Sequence, residues 1–378
     1  MNEIGLYVHI PFCRKKCLYC DFPSHAGLEQ FFEPYKDALI HEIDNTDELR
    51  ASQIDSVFFG GGTPTVLPAA FLSEILEHVC RRSVSADAEI TLEANPGTVG
   101  ADTLRALRGA GFNRLSLGVQ AWQDRLLKRL GRIHNRGDIE NAYEAALGAG
   151  FDNINLDLIF SLPGQTMDDW TETLQKVSDM KPAHISAYSL IVEEGTEFHR
   201  LYRDGQLELP GEEEDRNMYY AASALLGSYG YHQYEISNFA LDGRECRHNC
   251  KYWTRRPYIG VGADSHSFYD GRRWHNTHSL AQYLAASEND DIGGLREEIN
   301  PICQREAMEE TMFLGLRLNK GVDAHDFYKA FGVGLHEIYG DAIRKMGSLG
   351  LMDQTEERVF LTPKGRDVSN YVFTEFLF

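Results

Sequence analysis

The 378-residue sequence lacks several features that would place it in other classes of protein. No apolar run reaches the roughly 18–20 residues that a membrane-spanning helix needs. A signal peptide is also missing, so we expect a cytoplasmic protein whose cysteines stay reduced. Basic residues are fewer than acidic ones: the chain has 37 basic and 57 acidic residues, which gives a net charge of −20. This charge argues against nonspecific binding to nucleic acid or to anionic membranes, which carry the same sign.

Cysteine is scarce as well, with seven residues, yet three of them lie close together. Cys13, Cys17 and Cys20 form a C-x3-C-x2-C pattern directly after the first apolar run. Three thiolates in one loop can hold three irons of a cubic [4Fe-4S] cluster and leave one iron with an open position. The second C-x2-C pair of a typical zinc site is absent. Cys80 and Cys303 lie in helical patterns, and we expect both to be buried packing residues.

Apolar strand-like runs alternate with helical patterns through the first half of the chain. Continuous apolar strands separated by amphipathic helices predict a parallel sheet covered by helices. Because six such units fall short of the eight that close a barrel, we predict a partial (β/α)6 barrel over residues 1–210. The predicted strands are Gly5–Val8, Ser56–Phe59, Glu89–Leu92, Arg114–Leu117, Asn153–Leu158 and His184–Leu190. The predicted helices are Phe31–Asp44, Ala69–Arg82, Ala101–Gly109, Gln123–Arg129, Asp138–Gly148 and Met167–Asp179.

The pattern changes after about residue 210. We predict a linker or extension over residues 211–300, with an acidic helix at Gly211–Leu226 and a loop rich in Cys, His and Trp at Cys246–His278. Residues 301–378 show three helical patterns and a two-stranded hairpin, which is typical of a C-terminal winged-helix module. Since this module is not notably basic, a structural or protein-docking role is favoured over DNA binding.

Glycines and polar residues recur where the predicted strands end. The turn Gly60–Thr65 frees backbone groups to approach a ligand, and it lacks the Gly-Lys-Ser/Thr ending of a phosphate-binding loop. Glu93, Gln120, Arg132 and Asp157 lie near the ends of later units. Each alone is more typical of a cap or a surface position, but together they suit an amino group, a carboxylate and ribose hydroxyls. A ligand cavity is therefore predicted at the carboxyl ends of the strands.

The sequence resembles the oxygen-independent coproporphyrinogen III oxidase family of radical S-adenosylmethionine (SAM) proteins over nearly its whole length. The motifs that carry the resemblance are YVHIPFCRKKCLYCDF, FFGGGTPT, LEANPG, SLGVQ, DLIFSLPGQT and RHNCKYW. The resemblance implies a radical SAM barrel with a [4Fe-4S] cluster on Cys13, Cys17 and Cys20. It further implies an electron donor such as flavodoxin or ferredoxin. Residues at positions that contact SAM in the superfamily are Tyr7, Tyr19, Gly61, Gly62, Thr63, Glu93, Gln120, Arg132 and Asp157.

The sequence could belong to either of two branches of this family, the oxidases or a group of heme chaperones. The oxidases carry a fourth cysteine two positions past the third, where this chain has Phe22. They also carry a longer extension before the first strand, whereas Tyr7 lies near the start here. The chaperones carry an H-N-x-x-Y-W pattern, which is present at residues 248–253. These features favour a chaperone that delivers heme to apo-hemoproteins. The alternative is an oxidase that decarboxylates coproporphyrinogen III to protoporphyrinogen IX, and enzymatic SAM cleavage stays open.

The H-N-x-x-Y-W pattern implies heme contact by His248, Asn249, Tyr252 and Trp253. An imidazole can ligate heme iron, and the two aromatic rings can stack on a porphyrin face. The other interpretation is a satisfied polar–aromatic cluster of His248 and Trp253 that joins two domains. The implied partners are heme and recipient apo-hemoproteins, without nucleic acid, while transient association with a membrane is left open.

Overall fold

The structure is a computed structural model that describes residues 3–378, so positions 1 and 2 of the predicted 1–210 unit lie outside the described residues. The strands of the first half are β1 (Glu3–Ile10), β2 (Phe12–Cys13), β3 (His25–Ala26), β4 (Gln53–Gly61), β5 (Val84–Ala94), β6 (Arg114–Gln120), β7 (Asn153–Phe160) and β8 (His184–Ser189). The helices of this half are α1 (Phe32–Asn45), α2 (Asp47–Ala51), α3 (Ala69–Cys80), α4 (Ala101–Ala110), α5 (Asp124–Arg129), α6 (Arg136–Gly148), α7 (Met167–Asp179) and α8 (Glu197–Arg203).

Six of these strands form a parallel row in the order β1, β4, β5, β6, β7 and β8. Side chains alternate along each strand. On β1, Ile4, Leu6 and Val8 are fully buried in the main hydrophobic core. Tyr7 and His9 lie on the opposite face, where their rings are 5.8 Å apart. The predicted partial (β/α)6 barrel is confirmed, because each parallel strand in this row is followed by a helical connection.

The second half contributes further strands and helices. The strands are β9 (His232–Gln233), β10 (Asn238–Ala240), β11 (Tyr258–Val261), β12 (His266–Tyr269), β13 (Arg272–Asn276), β14 (Arg296–Pro301), β15 (Val322–Asp323), β16 (Met352–Gln354) and β17 (Arg358–Leu361). The helices are α9 (Glu212–Ser228), α10 (Arg247–Trp253), α11 (Leu280–Glu288), α12 (Gln304–Gly315), α13 (Ala324–Phe331), α14 (Leu335–Ser348), α15 (Pro363–Asp367) and α16 (Ser369–Thr374).

Strands of the second half extend the parallel row at both edges into a 12-stranded sheet. At one edge β10 pairs antiparallel with β8, and β9 pairs antiparallel with β10. At the other edge β11 pairs parallel with β1, and β12, β13 and β14 follow antiparallel. The predicted loop at 246–278 is therefore wrong, since most of it is α10 and three strands. The division at residues 210 and 300 stays a prediction, and the sheet draws strands from both sides of residue 210.

The C-terminal region has a hydrophobic core of its own, which includes Met312, Phe327 and Val359. Helices α12, α13 and α14 pack with a three-stranded sheet in the order β15, β17, β16, an arrangement of the predicted winged-helix kind. Helix α13 is capped at both ends: the Asp323 carboxylate accepts from two backbone N–H groups, and Gly332 ends the helix with φ of 71°. Within residues 3–378, every helix is too short or too polar to cross a bilayer.

Candidate functional site

A cavity of about 410 Å³ opens at the carboxyl ends of the parallel strands. Its position agrees with the rule that ligands of parallel barrels bind at this end. It brings together every residue predicted for the cluster and for SAM except Tyr7. These residues are Cys13, Cys17, Cys20, Tyr19, Gly61, Gly62, Thr63, Glu93, Gln120, Arg132 and Asp157.

The loop that carries the three cysteines forms one wall of the cavity. Its backbone is fixed where the Leu18 N–H donates to the Leu130 carbonyl at 3.1 Å. The Arg132 guanidinium donates from Nη1 to Cys17 Sγ at 3.4 Å, so a positive charge faces the thiols. Burial raises the pKa of the Cys20 thiol to about 11. A metal that binds these sulfurs must therefore displace a proton from Cys20, which couples metal binding to pH.

The glycine-rich turn after β4 packs directly against the cysteine loop. Gly61 has φ of 112°, and a Cβ there would lie 2.6 Å from the His9 ring. A Cβ on Gly62 would lie 2.5 Å from the Phe12 carbonyl oxygen and 3.0 Å from Cys13 Sγ. Gly62 is required because a Cβ cannot approach a backbone oxygen this closely, and Gly61 is required because its positive φ strains any other residue. The glycines of the FFGGGTPT motif thus let the turn pack directly against the cysteine loop.

Two carboxyl groups lie on the strands that face the cysteine wall. Burial and the neighbouring Asp157 carboxylate raise the pKa of Glu93 to about 8. Asp157 is held in place because Ser116 Oγ donates to it at 2.8 Å and Asn155 Nδ2 donates at 2.9 Å. A cation between the two carboxyl groups would relieve their repulsion. This part of the cavity is therefore suited to a positively charged ligand group.

Asn95 is a cavity residue that the sequence interpretation missed. Its Nδ2 donates to Thr63 Oγ1 at 2.7 Å, and its Oδ1 accepts from Arg132. Arg132 also donates from Nη2 to the Gly118 carbonyl at 2.8 Å. Asn95 thereby links the glycine turn to the arginine that faces the thiols. The available signal was its place in LEANPG, two residues after Glu93.

Tyr7 is the predicted SAM residue that the structure leaves off the cavity wall. A Cβ on Gly60 would lie 3.1 Å from its ring, which places Tyr7 beside the glycine turn on the inner face of the sheet. The Tyr7 hydroxyl is hydrogen-bonded to His9 Nδ1 at 3.0 Å, and His9 Nε2 reaches the Pro23 carbonyl at 3.1 Å. Tyr7 therefore supports the cysteine loop through His9.

The H-N-x-x-Y-W segment lies elsewhere, on α10, which packs against the starts of the strands. His248 is fully buried, with Nδ1 hydrogen-bonded to Ser56 Oγ at 3.1 Å and Nε2 to the Tyr252 hydroxyl at 2.9 Å. Burial, assisted by the Lys251 ammonium, lowers the pKa of His248 to about 3. The imidazole is neutral at pH 7, and both of its nitrogens are engaged. Inside the barrel the Phe58 ring lies 5.3 Å from the His248 ring and 6.2 Å from the Tyr7 ring.

Contacts at both ends of α10 join it to its surroundings. At its first turn the Glu89 carboxylate accepts from the backbone N–H groups of Arg247 at 3.2 Å and His248 at 3.1 Å. At its last residue the Arg317 guanidinium lies over the Trp253 ring at 4.4 Å. Helix α10 thus joins the barrel to the C-terminal region; both nitrogens of His248 are hydrogen-bonded, whereas Trp253 Nε1 is buried without a hydrogen-bond partner among the described residues. A heme site at His248, Asn249, Tyr252 and Trp253 stays a prediction.

The residues of the cavity fit the cofactors that the sequence predicts. Three thiols lie along one wall, and two carboxyl groups lie where a cationic ligand group would be stabilised. The Nε of Arg132 is buried and lacks a hydrogen-bond partner among the described residues, so this residue of the cavity wall keeps one unused donor. Soft thiolates are the ligands of iron–sulfur clusters. The donor set therefore suits a cluster beside a ligand with both cationic and anionic groups.

Comparison with known proteins agrees with this site. The model of the radical SAM superfamily matches residues 7–177, and the model of the HemN C-terminal domain matches residues 302–368. The protein named heme chaperone HemW from Bacillus subtilis is 37% identical, with 98% of each chain covered. The protein of the same name from Lactococcus lactis is 36% identical, covering 98% of this chain and 96% of its own. The structure of coproporphyrinogen III oxidase (HemN) from Escherichia coli covers 99% of this chain and 90% of its own with a TM-score of 0.86 at 24% identity.

The barrel and its cysteine-lined cavity are those of a radical SAM protein, a class that implies a [4Fe-4S] cluster and SAM as cofactors. Within this class, the chain belongs to the HemW family, since relatives of that name match it at more than a third identity over nearly its whole length.

Proposed function

We propose that this protein is a heme chaperone, which binds heme and delivers it to apo-hemoproteins on a radical SAM scaffold. The observation that carries the proposal is the 37% identity to the Bacillus subtilis heme chaperone HemW over 98% of both chains. Phe22 adds support. It lines the cavity at the position where the oxidases carry a further cysteine, and a phenyl ring has no metal-ligating atom.

In this proposal Cys13, Cys17 and Cys20 hold the cluster, while Glu93 and Asp157 hold the positively charged part of SAM. When bound, the cluster supplies one electron to the sulfonium of SAM. Arg132 offsets the charge of the thiolates through its contact with Cys17 Sγ. An electron carrier of the flavodoxin or ferredoxin type would reduce the site.

Heme ligation by the H-N-x-x-Y-W residues requires a change in α10. His248 Nε2 must leave the Tyr252 hydroxyl, 2.9 Å away, before it can ligate iron. The low pKa of His248 keeps the imidazole neutral at pH 7, so one ring nitrogen has a lone pair that iron can accept. We infer that Tyr252 and Trp253 then stack on the porphyrin and that Asn249 contacts its edge.

Titration of the cluster-loaded protein with hemin tests the proposal through the Soret band. We expect His248→Ala to abolish the band shift of the wild-type protein, and Tyr252→Phe to accelerate its appearance, since that variant frees Nε2. His184→Ala is a matched control, because His184 is also buried with both nitrogens engaged, to Asn155 Oδ1 at 2.6 Å and the Tyr234 hydroxyl at 3.0 Å. An unchanged titration in His248→Ala would refute ligation by His248.

The chaperone activity needs its own experiment. Heme-loaded protein is mixed with an apo-hemoprotein, and we expect the Soret spectrum of the recipient to appear. The fold is shared with an oxidase structure, so an anaerobic assay with SAM, a reductant and coproporphyrinogen III runs in parallel. Formation of protoporphyrinogen IX without heme transfer would replace the chaperone assignment by the oxidase alternative.

A further inference from the structure

Two histidines and an aspartate meet on the antiparallel extension of the sheet, and none of the three lines the cysteine-walled cavity. Asp264 follows β11, His275 belongs to β13, and His278 lies just beyond β13. One ligand atom from each side chain lies within 4.8 Å of the other two. We propose that Asp264, His275 and His278 bind a divalent transition-metal ion. Two imidazole nitrogens and one carboxylate oxygen form a ligand set that Zn²⁺ and its neighbours in the first transition row prefer.

The His275 ring is oriented as a metal-binding imidazole. Its Nδ1 donates to the Asn276 carbonyl at 3.0 Å, which fixes the tautomer and leaves the lone pair on Nε2. Metal-ligating histidines commonly donate their other ring nitrogen to a carbonyl in this way. The nearest acid to Nε2 is Glu298, at 3.7 Å, too far for a good hydrogen bond. His278 stacks on His275 with ring centroids 4.6 Å apart, and its Nδ1 contacts the Asp264 carboxylate.

A buried carboxyl group beneath the site fixes the two segments that carry the ligands. Glu42 of α1 accepts from the Gly262 N–H at 2.8 Å and from Asn276 Nδ2 at 2.6 Å. The hydroxyl of Tyr283 donates to the same carboxylate at 2.6 Å. Two further bonds join the segments directly, since the Asp264 N–H donates to the Thr277 carbonyl at 3.0 Å and Asn276 Nδ2 to the Gly262 carbonyl at 3.1 Å. The ligands are thus held on a rigid support, the condition for a preformed metal site.

The accessibility of the ligands shows how an ion would enter. The Asp264 and His275 side chains are only 11% and 9% exposed, whereas His278 is 66% exposed. An ion would therefore approach along His278 and meet two ligands that are already fixed. Three protein ligands leave a fourth position for water or for a further donor. Glu298 and His266 lie beside His275, with the Glu298 carboxylate 3.7 Å from Nε2 and the His266 ring 5.3 Å from the His275 ring.

Calorimetric titration with ZnCl₂ tests the inference on the cluster-loaded protein, after dialysis to remove loosely bound metal. Visible absorption of the cluster is followed throughout, so that exchange of its iron is recognised. We expect one equivalent of Zn²⁺ to bind while the cluster spectrum is unchanged. His278→Ala and Asp264→Asn should each weaken this binding by at least about tenfold, the lower end of what metal-site substitutions cost.

The matched control is His336→Ala, which removes an exposed histidine from α14. It should bind Zn²⁺ as the wild-type protein does. Since the His278 side chain is exposed, His278→Ala should keep its fold, and circular dichroism checks this. Absence of a bound equivalent in the wild-type protein, or equal binding by His278→Ala, would overturn the inference. The result does not depend on heme, so it leaves the chaperone proposal to its own test.

Discussion

Among single residues, Gly62 sets the tightest limit on the shape of the cavity. A Cβ there would meet the Phe12 carbonyl oxygen at 2.5 Å, and this backbone group cannot rotate away. We expect Gly62→Ala to lower the free energy of unfolding by about 1–3 kcal/mol, as overpacking does. It should also reduce the iron bound after anaerobic reconstitution, because the cysteine loop is displaced.

The control for Gly62→Ala is Gly97→Ala in a neighbouring loop. A Cβ on Gly97 would lie 3.5 Å from its nearest neighbour, His134, which is an ordinary contact. Urea unfolding and an iron assay on both variants check the prediction. Equal iron content in Gly62→Ala and the wild-type protein would show that the turn does not shape the cluster site.

Glu93 gives the protein a specific dependence on pH. Its pKa is raised to about 8 by burial and by Asp157, from an ordinary value of 4.5. Between these pH values the native state binds a proton that the unfolded chain has released, so the contribution of Glu93 to stability falls as pH rises. It is full below pH 4.5 and is lost by pH 8, with a slope of at most about 1.4 kcal/mol per pH unit.

Glu93→Gln should remove this part of the pH dependence, because an amide has no proton to release. The measurement is urea unfolding at several pH values between 5 and 9, roughly the window that the shifted pKa defines. Glu194→Gln, at an exposed position near the same rim, should retain the wild-type profile. A Glu93→Gln profile parallel to that of the wild type would contradict the raised pKa.

Sequence reasoning found most of the cavity but misplaced some single residues. The cysteines and glycines were predictable because their motifs leave little conformational choice. Cys80 and Cys303 were wrongly predicted as buried, and both are exposed. Cys80 is the last residue of α3, where the apolar face has ended, and Cys303 is the N-cap of α12, with its sulfur accepting from a backbone N–H. Asn95 was missed because its role depends on the distant Arg132 and Thr63.

At the scale of secondary-structure elements, α10 depends on one buried carboxylate. Glu89 of β5 accepts from the first backbone N–H groups of the helix and lies 4.0 Å from the buried Arg114 guanidinium. We expect Glu89→Gln to lower the free energy of unfolding by about 3–5 kcal/mol, the range for leaving a buried charge without its partner. The α10 amides should also exchange their hydrogens faster in this variant.

Asp87→Asn is the matched control for Glu89→Gln. Asp87 also pairs with α10, through Arg247 at 3.4 Å, but its side chain is 78% exposed. An exposed pair of this kind contributes about 0–1 kcal/mol. If the two variants lose equal stability, the capping role of Glu89 is wrong.

The helices whose bounds were predicted correctly contain the residues that cap their ends. Helix α7 has the predicted bounds because Thr166 and Asp169 form a capping box at its start. Strand β11 was missed because its pairing with β1 joins residues about 250 positions apart, and a local pattern does not contain such a partner. Helix α10 was missed because it spans only seven residues and takes its cap from β5.

At the scale of the whole molecule, ion pairs join the C-terminal region to the large sheet. Glu310 of α12 accepts from Arg255 Nε at 2.8 Å and from Arg273 Nε and Nη2 at 3.0 Å. The carboxylate is 16% exposed, so water screens it only partly. We expect Glu310→Gln to lower stability by about 1–3 kcal/mol and to increase proteolysis before α12, since one acceptor serves both arginines.

Limited proteolysis with mass spectrometry locates the cleavage in Glu310→Gln. Glu337→Gln, an exposed acid on α14, serves as the control and should be cleaved like the wild-type protein. Cleavage rates that are equal in all three proteins would show that the Glu310 pairs do not fasten the region.

Aromatic rings lie inside the barrel between the cysteine-lined cavity and helix α10. Glu93 at the rim and Glu89 under α10 are four residues apart on β5, which corresponds to roughly 13 Å along a strand. Between these levels lie the Tyr7 and Phe58 rings. A ligand bound in the cavity would be screened from the imidazole of His248 by these rings, since the Phe58 ring lies 5.3 Å from that imidazole. The buried imidazole and the thiol-lined cavity are therefore on opposite sides of an aromatic layer that belongs to the first two parallel strands.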